Sequence, residues 1–322
     1  MSSPEFFPAL YFYLGESVIE AALAIALVVM VLRFAHIESA AVRLRFYLLP
    51  LLIPSVLSPA AHLLLPQLSE SALIAHVERI GLPFGTLAFE SSRVLAPYIL
   101  AIFGTLLAIG MLQWFVGSAR HWRWLGQQRA QDARALERVE RQLRTLTPRD
   151  RIPPPAILLT APARGPYAWG GGRGWIAIPH DLLQALDDEE LAALLAHELA
   201  HVQRGDTWLR LVARLARDLQ FFNPLAHWVY RRIETLCEDA CDDLAVQMTG
   251  NPLALASSLL KTWRTQQTGV QVWAHTLVSS QVELERRVTR LLAAQVGLSS
   301  RRREEIVFAS ATSALVFALS IV

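Results

Sequence analysis

The hydrophobic and polar positions divide the chain into long apolar blocks and one extended polar region. Uncharged runs cover residues 46–66 and 94–119, and each exceeds the roughly 18 to 20 residues that cross a hydrocarbon core. Two further apolar segments, 9–32 and 306–322, are of comparable length. The pattern predicts four transmembrane helices. Most of the charged residues lie between the third and fourth of them, in residues 120–305.

The polar region changes its pattern along its length. A charged, helix-like stretch over 120–146 ends near a run of prolines. Two strand-like pieces, 156–160 (AILLT) and 174–179 (GWIAIP), flank a turn-rich segment and indicate a small antiparallel sheet. The remainder has helical spacing. We therefore predict a mainly α membrane protein with an α+β domain inserted before its last helix, divided as 1–119, 120–305 and 306–322.

Composition agrees with a membrane protein and excludes some functions. Of the 322 residues, 53% are hydrophobic and 18% are charged, and few soluble proteins reach the mean hydropathy of +0.33. The net charge of +2 excludes a nucleic-acid binder that works by bulk charge. Two cysteines cannot form a disulfide framework.

Basic residues beside the apolar segments predict the orientation of the chain in the membrane. They cluster between the first and second segments and after the third, whereas the residues before the first have no basic side chain. Because cytoplasmic loops carry the excess of arginine and lysine, the N-terminus is predicted to lie outside and residues 120–305 in the cytoplasm. The basic residues are Arg33, Arg43, Arg45, Arg120, Arg123 and Arg129.

One helix of the polar region has a well-marked start. Asp187 can cap it, and Glu190 stands three residues later, as in a capping box. The predicted helix contains His197, Glu198 and His201 in the pattern HExxH. Two histidines four residues apart project from one face and can bind one Zn²⁺, while the adjacent glutamate can act as a general base towards a zinc-activated water. The sequence predicts one catalytic zinc ion.

A third ligand is sought downstream, in the helix-like stretch 231–246. Glu238 and Asp242 lie four residues apart on one face, so Glu238 is assigned to the metal and Asp242 to the support of a ligand histidine. Cys237 and Cys241 are rival ligands that would close the site as a structural zinc centre. Glu234 is a weaker substitute for Glu238.

Three motifs carry a family resemblance. HELAHVQRGD at 197–206, FFNPLAHW at 221–228 and ETLCEDACD at 234–242 resemble the membrane metallopeptidases typified by the beta-lactam-sensing signal transducers of bacteria. The resemblance implies a cytoplasmic, gluzincin-type zinc peptidase domain whose activation leads to cleavage of a transcriptional repressor or of the transducer itself. A protein or peptide substrate and the lipid bilayer are then the expected partners, without direct contact to nucleic acid.

The same resemblance implies roles for individual residues. His197, His201 and Glu238 correspond to the metal ligands, Glu198 to the base and Asp242 to a supporting residue. Three more positions fall in the matching motifs and are expected to give structural support: Arg204, Asp206 and Asn223.

The chain also departs from that family. The sensors carry an extracellular penicillin-binding domain after the fourth span, whereas this sequence ends inside that span and has no SxxK motif followed by KTG. Sensing of beta-lactams is therefore not carried over. A constitutive quality-control or prenyl-protein endopeptidase and a non-catalytic sensor with a structural zinc remain as alternatives, and the substrate, signal and oligomeric state stay open.

Two further expectations concern surfaces of the domain. Residues 207–222 form an amphipathic pattern, with Arg210, Arg214 and Arg217 on one side, which fits a helix on the inner leaflet or one packed within the protein. Substrate is expected to bind as an added strand beside 174–179.

Overall fold

A computed structural model describes residues 3–57, isolated helical positions between 101 and 123, and residues 132–146, 154–160, 165–170, 174–267 and 274–293. The described residues are mostly helical. They group into two compact units: residues 1–118, 212–236 and 300–322 belong to the first, and residues 119–211 and 237–299 to the second.

The first unit begins with two helices. Helix α1 covers Ser3–Phe34, and helix α2 covers Ala40–Leu52 and continues into a π-helical segment, Ile53–Leu57. Within the described residues, α1 is long and apolar enough to cross a membrane over Ser17–Phe34, with a mean hydropathy of 2.2. Pro50 lies inside α2, where it removes a backbone donor, and the irregular π-helical segment follows directly.

These helices test only part of the predicted membrane topology. The predicted span 9–32 lies within α1, and α2 with the π-helical segment covers the first part of 46–66. The rest of 46–66, most of 94–119 and all of 306–322 lie outside the described residues. Four transmembrane helices therefore remain a prediction.

Asn223 and Gln220 are buried polar residues of the first unit that hydrogen-bond to each other. Gln220 Nε2 donates to the carbonyl of Leu51 (2.9 Å) and to Ser55 Oγ (2.6 Å). Asn223 Oδ1 accepts from the backbone N–H of Leu225 (3.0 Å), and its Nδ2 donates to Gln220 Oε1 (3.2 Å). Asn223 thus caps the helix that starts at Pro224, which is the structural role expected for it.

The second unit contains a three-stranded sheet with the order β1-β3-β2. Its strands are β1 (Ala156–Thr160), β2 (Tyr167–Trp169) and β3 (Trp175–Pro179). β2 pairs antiparallel with β3, but β1 pairs parallel with β3. The expectation of an antiparallel sheet was therefore wrong for β1, because the turn-rich segment contains a strand that takes the other edge of β3.

Helices complete both units. After helix α3 (Ala133–Leu146), which lies within the predicted charged stretch, they are α4 (His180–Ala185), α5 (Asp188–Arg204), α6 (Asp206–Leu219), α7 (Pro224–Thr249), α8 (Pro252–Gln267) and α9 (Ala274–Ala293). One apolar core joins α3, the sheet and α5. A second core joins α5, α7, α8 and α9. Helix α5 belongs to both cores and is buried on most sides.

Local sequence determines both ends of α5. The Asp187 side chain accepts from the backbone N–H of Glu190 (2.9 Å), and Glu190 Oε2 accepts from the backbone N–H of Asp187 (2.9 Å). The predicted capping box is confirmed. The helix ends at Gly205, which adopts the left-handed conformation (φ 65°) that glycine tolerates best.

Glu190 also ties the start of α5 to α8. Ser257 Oγ donates to Glu190 Oε1 (2.6 Å), and Lys261 Nζ lies 2.5 Å from Glu190 Oε2. Burial tends to raise the pKa of this carboxyl, but the bonds from Lys261, Ser257 and the Asp187 backbone outweigh it, so the pKa lies below the ordinary value of 4.5.

We predict that Glu190→Gln lowers the free energy of unfolding by about 1–2 kcal/mol at pH 7, because a charged hydrogen-bond acceptor is lost. Since the folded-state pKa is depressed, the contribution of Glu190 is present above about pH 4.5 and is lost as the pH falls through the folded-state value. Thermal unfolding should show the difference between Glu190→Gln and wild type shrinking in acid. The control is Glu189→Gln at an exposed neighbouring position. A pH-independent difference would contradict the prediction.

Candidate metal centre and active site

Helix α5 presents the HExxH residues in its buried second half. His197 and Glu198 are 4% and 5% exposed, and the rings of His197 and His201 meet edge to face with their centroids 4.8 Å apart. The i, i+4 spacing brings both imidazoles to one face of the helix, as expected.

Glu238 of α7 closes a three-residue group with the two histidines. Its Oε2 lies 3.5 Å from His197 Nε2, and its Oε1 lies 3.7 Å from His201 Nε2. One donor atom from each residue lies within 4.8 Å of the others. Tetrahedral zinc with bonds of about 2.0–2.2 Å separates its ligands by roughly 3.3–3.6 Å. The group His197, His201 and Glu238 therefore fits a metal ion with small adjustments.

The opposite nitrogen of each imidazole faces a buried carboxylate. Asp242 Oδ1 lies 3.1 Å from His197 Nδ1, and Asp206 Oδ2 lies 2.9 Å from His201 Nδ1. Carboxylates at Nδ1 favour a proton there and leave Nε2 free to bind a metal. Burial disfavours protonation of His197, but the contacts with Asp242 and Glu238 prevail and raise its pKa to about 9 in the metal-free protein.

Asp206 does more than the structural ion pairing expected from the sequence. It pairs with Arg204 (3.2 Å), as anticipated, and also orients His201. Asp206 is the first residue of α6 and lies directly after Gly205, where the chain turns. The signal for this contact was present, because an acidic residue five positions after the second histidine can return to it across such a turn.

Among the described residues, neither cysteine forms a metal-compatible group together with both histidines. Cys241 Sγ donates to Asp206 Oδ2 (3.1 Å) and lies 3.2 Å from His201 Nδ1, on the side away from Nε2. Among the described residues, Cys237 belongs to neither metal-compatible group, and Cys241 joins only a second one with His201 and Asp206. Burial raises the pKa of the Cys237 thiol to about 12, which disfavours the thiolate that binds zinc.

Glu198 and Glu238 differ in protonation behaviour. Burial raises the pKa of Glu198, despite the histidines beside it. Burial acts in the same direction on Glu238, but His197 and Arg287 stabilise its charge and hold its pKa well below the ordinary value. Glu238 is thus kept as an anion, which suits a metal ligand. Glu198 is suited to accept and return a proton.

The group lines a cleft of about 270 Å³. Tyr167 and Ala168 of β2 contribute to one part of its lining, and α8 contributes Leu259, Thr262 and Gln266. Both edges of β3 are paired, so the expectation that substrate adds beside 174–179 was wrong. Strand β2 lines the cleft and is an edge strand of the described sheet.

Two arginines at the centre were not assigned to it from the sequence. Arg210 Nη2 donates to Glu238 Oε1 (2.5 Å), although the amphipathic pattern placed this residue on a surface facing lipid or protein. Arg287 of α9 lies 2.9 Å from Glu238 Oε2. Nothing in the local sequence around residue 287 indicates the metal centre, because the contact joins helices that are distant along the chain.

Two histidines and a glutamate from a second helix, with a buried glutamate beside them in a cleft, form the kind of centre found in metal-dependent hydrolases. Comparison with known families agrees with a peptidase. The family described as BlaR1 peptidase M56 matches residues 13–291. The chain belongs to this peptidase family.

Curated relatives carry the name "Protease HtpX homolog". That of Acidiphilium cryptum is 30% identical over 42% of this chain and 59% of its own length, and that of Aquifex aeolicus is 36% identical over 26% and 29%. The protein from Gemmatimonas aurantiaca is 28% identical over 50% of this chain and 70% of its own length. The chain thus spans less than two thirds of the length of the first two relatives.

We predict that the purified chain binds one zinc ion and that His201→Ala or Glu238→Ala weakens binding by more than about a hundredfold, since each removes a ligand rather than a supporting residue. Competition with a fluorescent chelator measures the affinity. Glu234→Ala is the matched control on α7 and should bind zinc as wild type does. Stoichiometric tight zinc in Glu238→Ala would contradict the ligand assignment.

We also predict that Asp206→Asn weakens zinc binding by about tenfold to a hundredfold, because His201 loses a charged partner. The same chelator competition gives the measurement. Asp218→Asn, on the same helix and also paired with arginine, should leave the affinity within about twofold of wild type, as is usual away from ligands. Equal affinities for wild type and Asp206→Asn would show that Asp206 acts only in the ion pair with Arg204.

Proposed function

We propose that the protein is a multi-pass membrane zinc endopeptidase that cleaves a cytoplasmic, repressor-like protein, its own chain, or both, in transmembrane signalling. The observation that carries the proposal is the position of Glu198, buried in the cleft beside the three metal-compatible residues. A structural zinc site needs no such carboxylate. Membership of a peptidase family supports the reaction class.

The proposed reaction is hydrolysis of a peptide bond. His197, His201 and Glu238 would hold the metal, which supplies a Lewis acid that makes water reactive near neutral pH. Glu198 accepts a proton as the water oxygen bonds to the scissile carbonyl carbon, and it donates that proton to the amine nitrogen as the C–N bond breaks. Burial of Glu198 raises its pKa and so strengthens it as the acceptor of the proton from water.

Substrate binding is proposed along β2. An extended substrate segment can add to this edge strand through backbone hydrogen bonds, which tolerate varied side chains. Leu259 of α8 offers an apolar contact to a substrate side chain, and Thr262 Oγ1 is buried with no hydrogen-bond partner among the described residues. These features suit a protein substrate with one anchored side chain.

The membrane placement rests on the apolar segments and the basic residues of the sequence. The span at Ser17–Phe34 supports an N-terminal anchor. The proposed location is the bacterial inner membrane, with the N-terminus outside and the zinc domain in the cytoplasm. The bilayer is then a partner of the apolar helices.

A constitutive membrane endopeptidase is the second candidate. It is favoured by the relatives named "Protease HtpX homolog". The two candidates differ in whether cleavage needs a signal. Cleavage by the purified chain without an added stimulus would favour the constitutive enzyme, whereas cleavage seen only in stressed cells would favour the transducer.

We predict that Glu198→Gln lowers the cleavage rate by about a hundredfold to ten-thousandfold and leaves zinc bound, since it removes the general base and no ligand. The cleavage rate is measured with fluorescein-labelled casein and from the accumulation of fragments of the chain itself. Zinc content is measured in parallel. Glu189→Gln on the same helix is the control. Equal cleavage by Glu198→Gln and wild type, or loss of its zinc, would overturn the assignment of Glu198 as base.

A further inference from the structure

Helix α9 is joined to α7 by a row of ion pairs. Arg286 forms two hydrogen bonds with the Asp239 carboxylate (2.7 and 3.1 Å), and Arg290 pairs with Asp243. Arg287 lies between them in sequence and pairs with Asp242. We call Arg286, Arg287 and Arg290 the arginine row. Arg290 Nη1 also lies 3.8 Å from the Asp239 carboxylate, so the row and the acidic residues of α7 form one network that joins the two helices.

Arg287 differs from the other two in burial and in partners. Its side chain is 12% exposed, against 33% for Arg286 and 30% for Arg290. Its Nε and Nη2 donate to the two oxygens of Asp242 (2.9 and 2.6 Å). Its Nη1 lies 2.9 Å from Glu238 Oε2. One planar guanidinium thus spans both carboxylates that face His197.

The two carboxylates need such a partner. Asp242 is fully buried and Glu238 is 23% exposed in its side chain, and like charges at this depth repel each other and are costly to desolvate. The paired N–H groups of arginine match carboxylate geometry in direction as well as in charge. Among the described residues, the other ionisable partner of Asp242 is His197, at 3.1 Å.

The charge of Arg287 also has an opposing effect. Its Nη2 lies 3.5 Å from His197 Nε2, the atom assigned to the metal, so its positive charge repels a cation there. Its N–H groups, however, point at both carboxylates, and loss of a residue that orients ligands typically weakens metal binding tenfold to a hundredfold. Orientation of Glu238 and Asp242 should therefore outweigh the repulsion.

We propose that Arg287 is a positioning residue that holds Glu238 and Asp242 in metal-binding geometry, so that docking of α9 on α7 sets the metal affinity of the centre. The inference rests on the proposed zinc site. It makes α9 a part of the centre, although the helix contributes no ligand. Helix α9 ends at Ala293, and the predicted span 306–322 follows it in the sequence.

The test compares zinc affinity across the arginine row in the full chain purified in detergent. The variants are Arg287→Ala, Arg287→Lys, Arg286→Ala and Arg290→Ala, each stripped of metal and titrated with zinc against a fluorescent chelator. Thermal unfolding of the metal-free proteins measures their stability separately. If Arg287→Ala is too unstable to titrate, Arg287→Lys provides a variant that keeps the positive charge.

We expect Arg287→Ala to bind zinc about tenfold to a hundredfold more weakly than wild type, and Arg287→Lys to recover part of the affinity, because lysine supplies the charge without the paired donors. Arg286→Ala and Arg290→Ala should lower the unfolding temperature and keep zinc affinity within about twofold of wild type. This pattern separates positioning of the ligands from general helix docking.

Three results would overturn the inference. Unchanged or tighter zinc binding in Arg287→Ala would show that repulsion prevails over orientation. Equal loss of affinity in Arg286→Ala would reduce Arg287 to one docking contact among three. Affinity in Arg287→Lys no better than in a folded Arg287→Ala would remove the role of its charge. The proposed function would instead be rejected if the wild-type chain binds zinc but shows no cleavage that depends on Glu198. The comparison of zinc affinities across the arginine row would remain valid in that case.

Discussion

The centre depends on one electrostatic constraint, which is that Asp206, Asp242 and Glu238 must each face an arginine or an imidazole. Asp206 faces Arg204 and His201, Asp242 faces His197 and Arg287, and Glu238 faces Arg210 and Arg287. Desolvated carboxylates without such partners would cost several kcal/mol each. The same pairs that make burial tolerable also set the direction of the two imidazoles. Stability and site geometry therefore arise from the same contacts.

This constraint explains why so many helices meet at the centre. α5 supplies the histidines and α7 two of the carboxylates, while α6 and α9 supply the arginines that pair with Glu238. The apolar core that joins α5 and α7 includes the small side chains Ala193, Ala196 and Ala245. Glu198 stands apart, because burial has the largest effect on it and raises its pKa. Its raised pKa separates it from the ligand carboxylate.

Much of the centre could be predicted because its parts are local. The capping box at Asp187 and Glu190 involves one turn, and the spacing of His197 and His201 follows from the helical repeat. Glu238 and Asp242 were placed together by the same repeat on α7. The strand order could not be predicted in this way, because β2 is a short strand of three residues inside a segment dominated by turn formers. Its pairing with β3 took away the free edge expected at 174–179.

The sequence by itself determined the helical nature of these segments, the start of α5, and the residues that share a helical face around the HExxH motif and Glu238, because backbone propensity, capping and the 3.6-residue repeat act over a few neighbours. The tertiary structure alone decided that Arg210 points at Glu238. It alone brought Arg287 to Asp242, 45 positions away along the chain. Charges separated in this way are paired by the packing of helices, and the sequence near each residue carries no information about its distant partner.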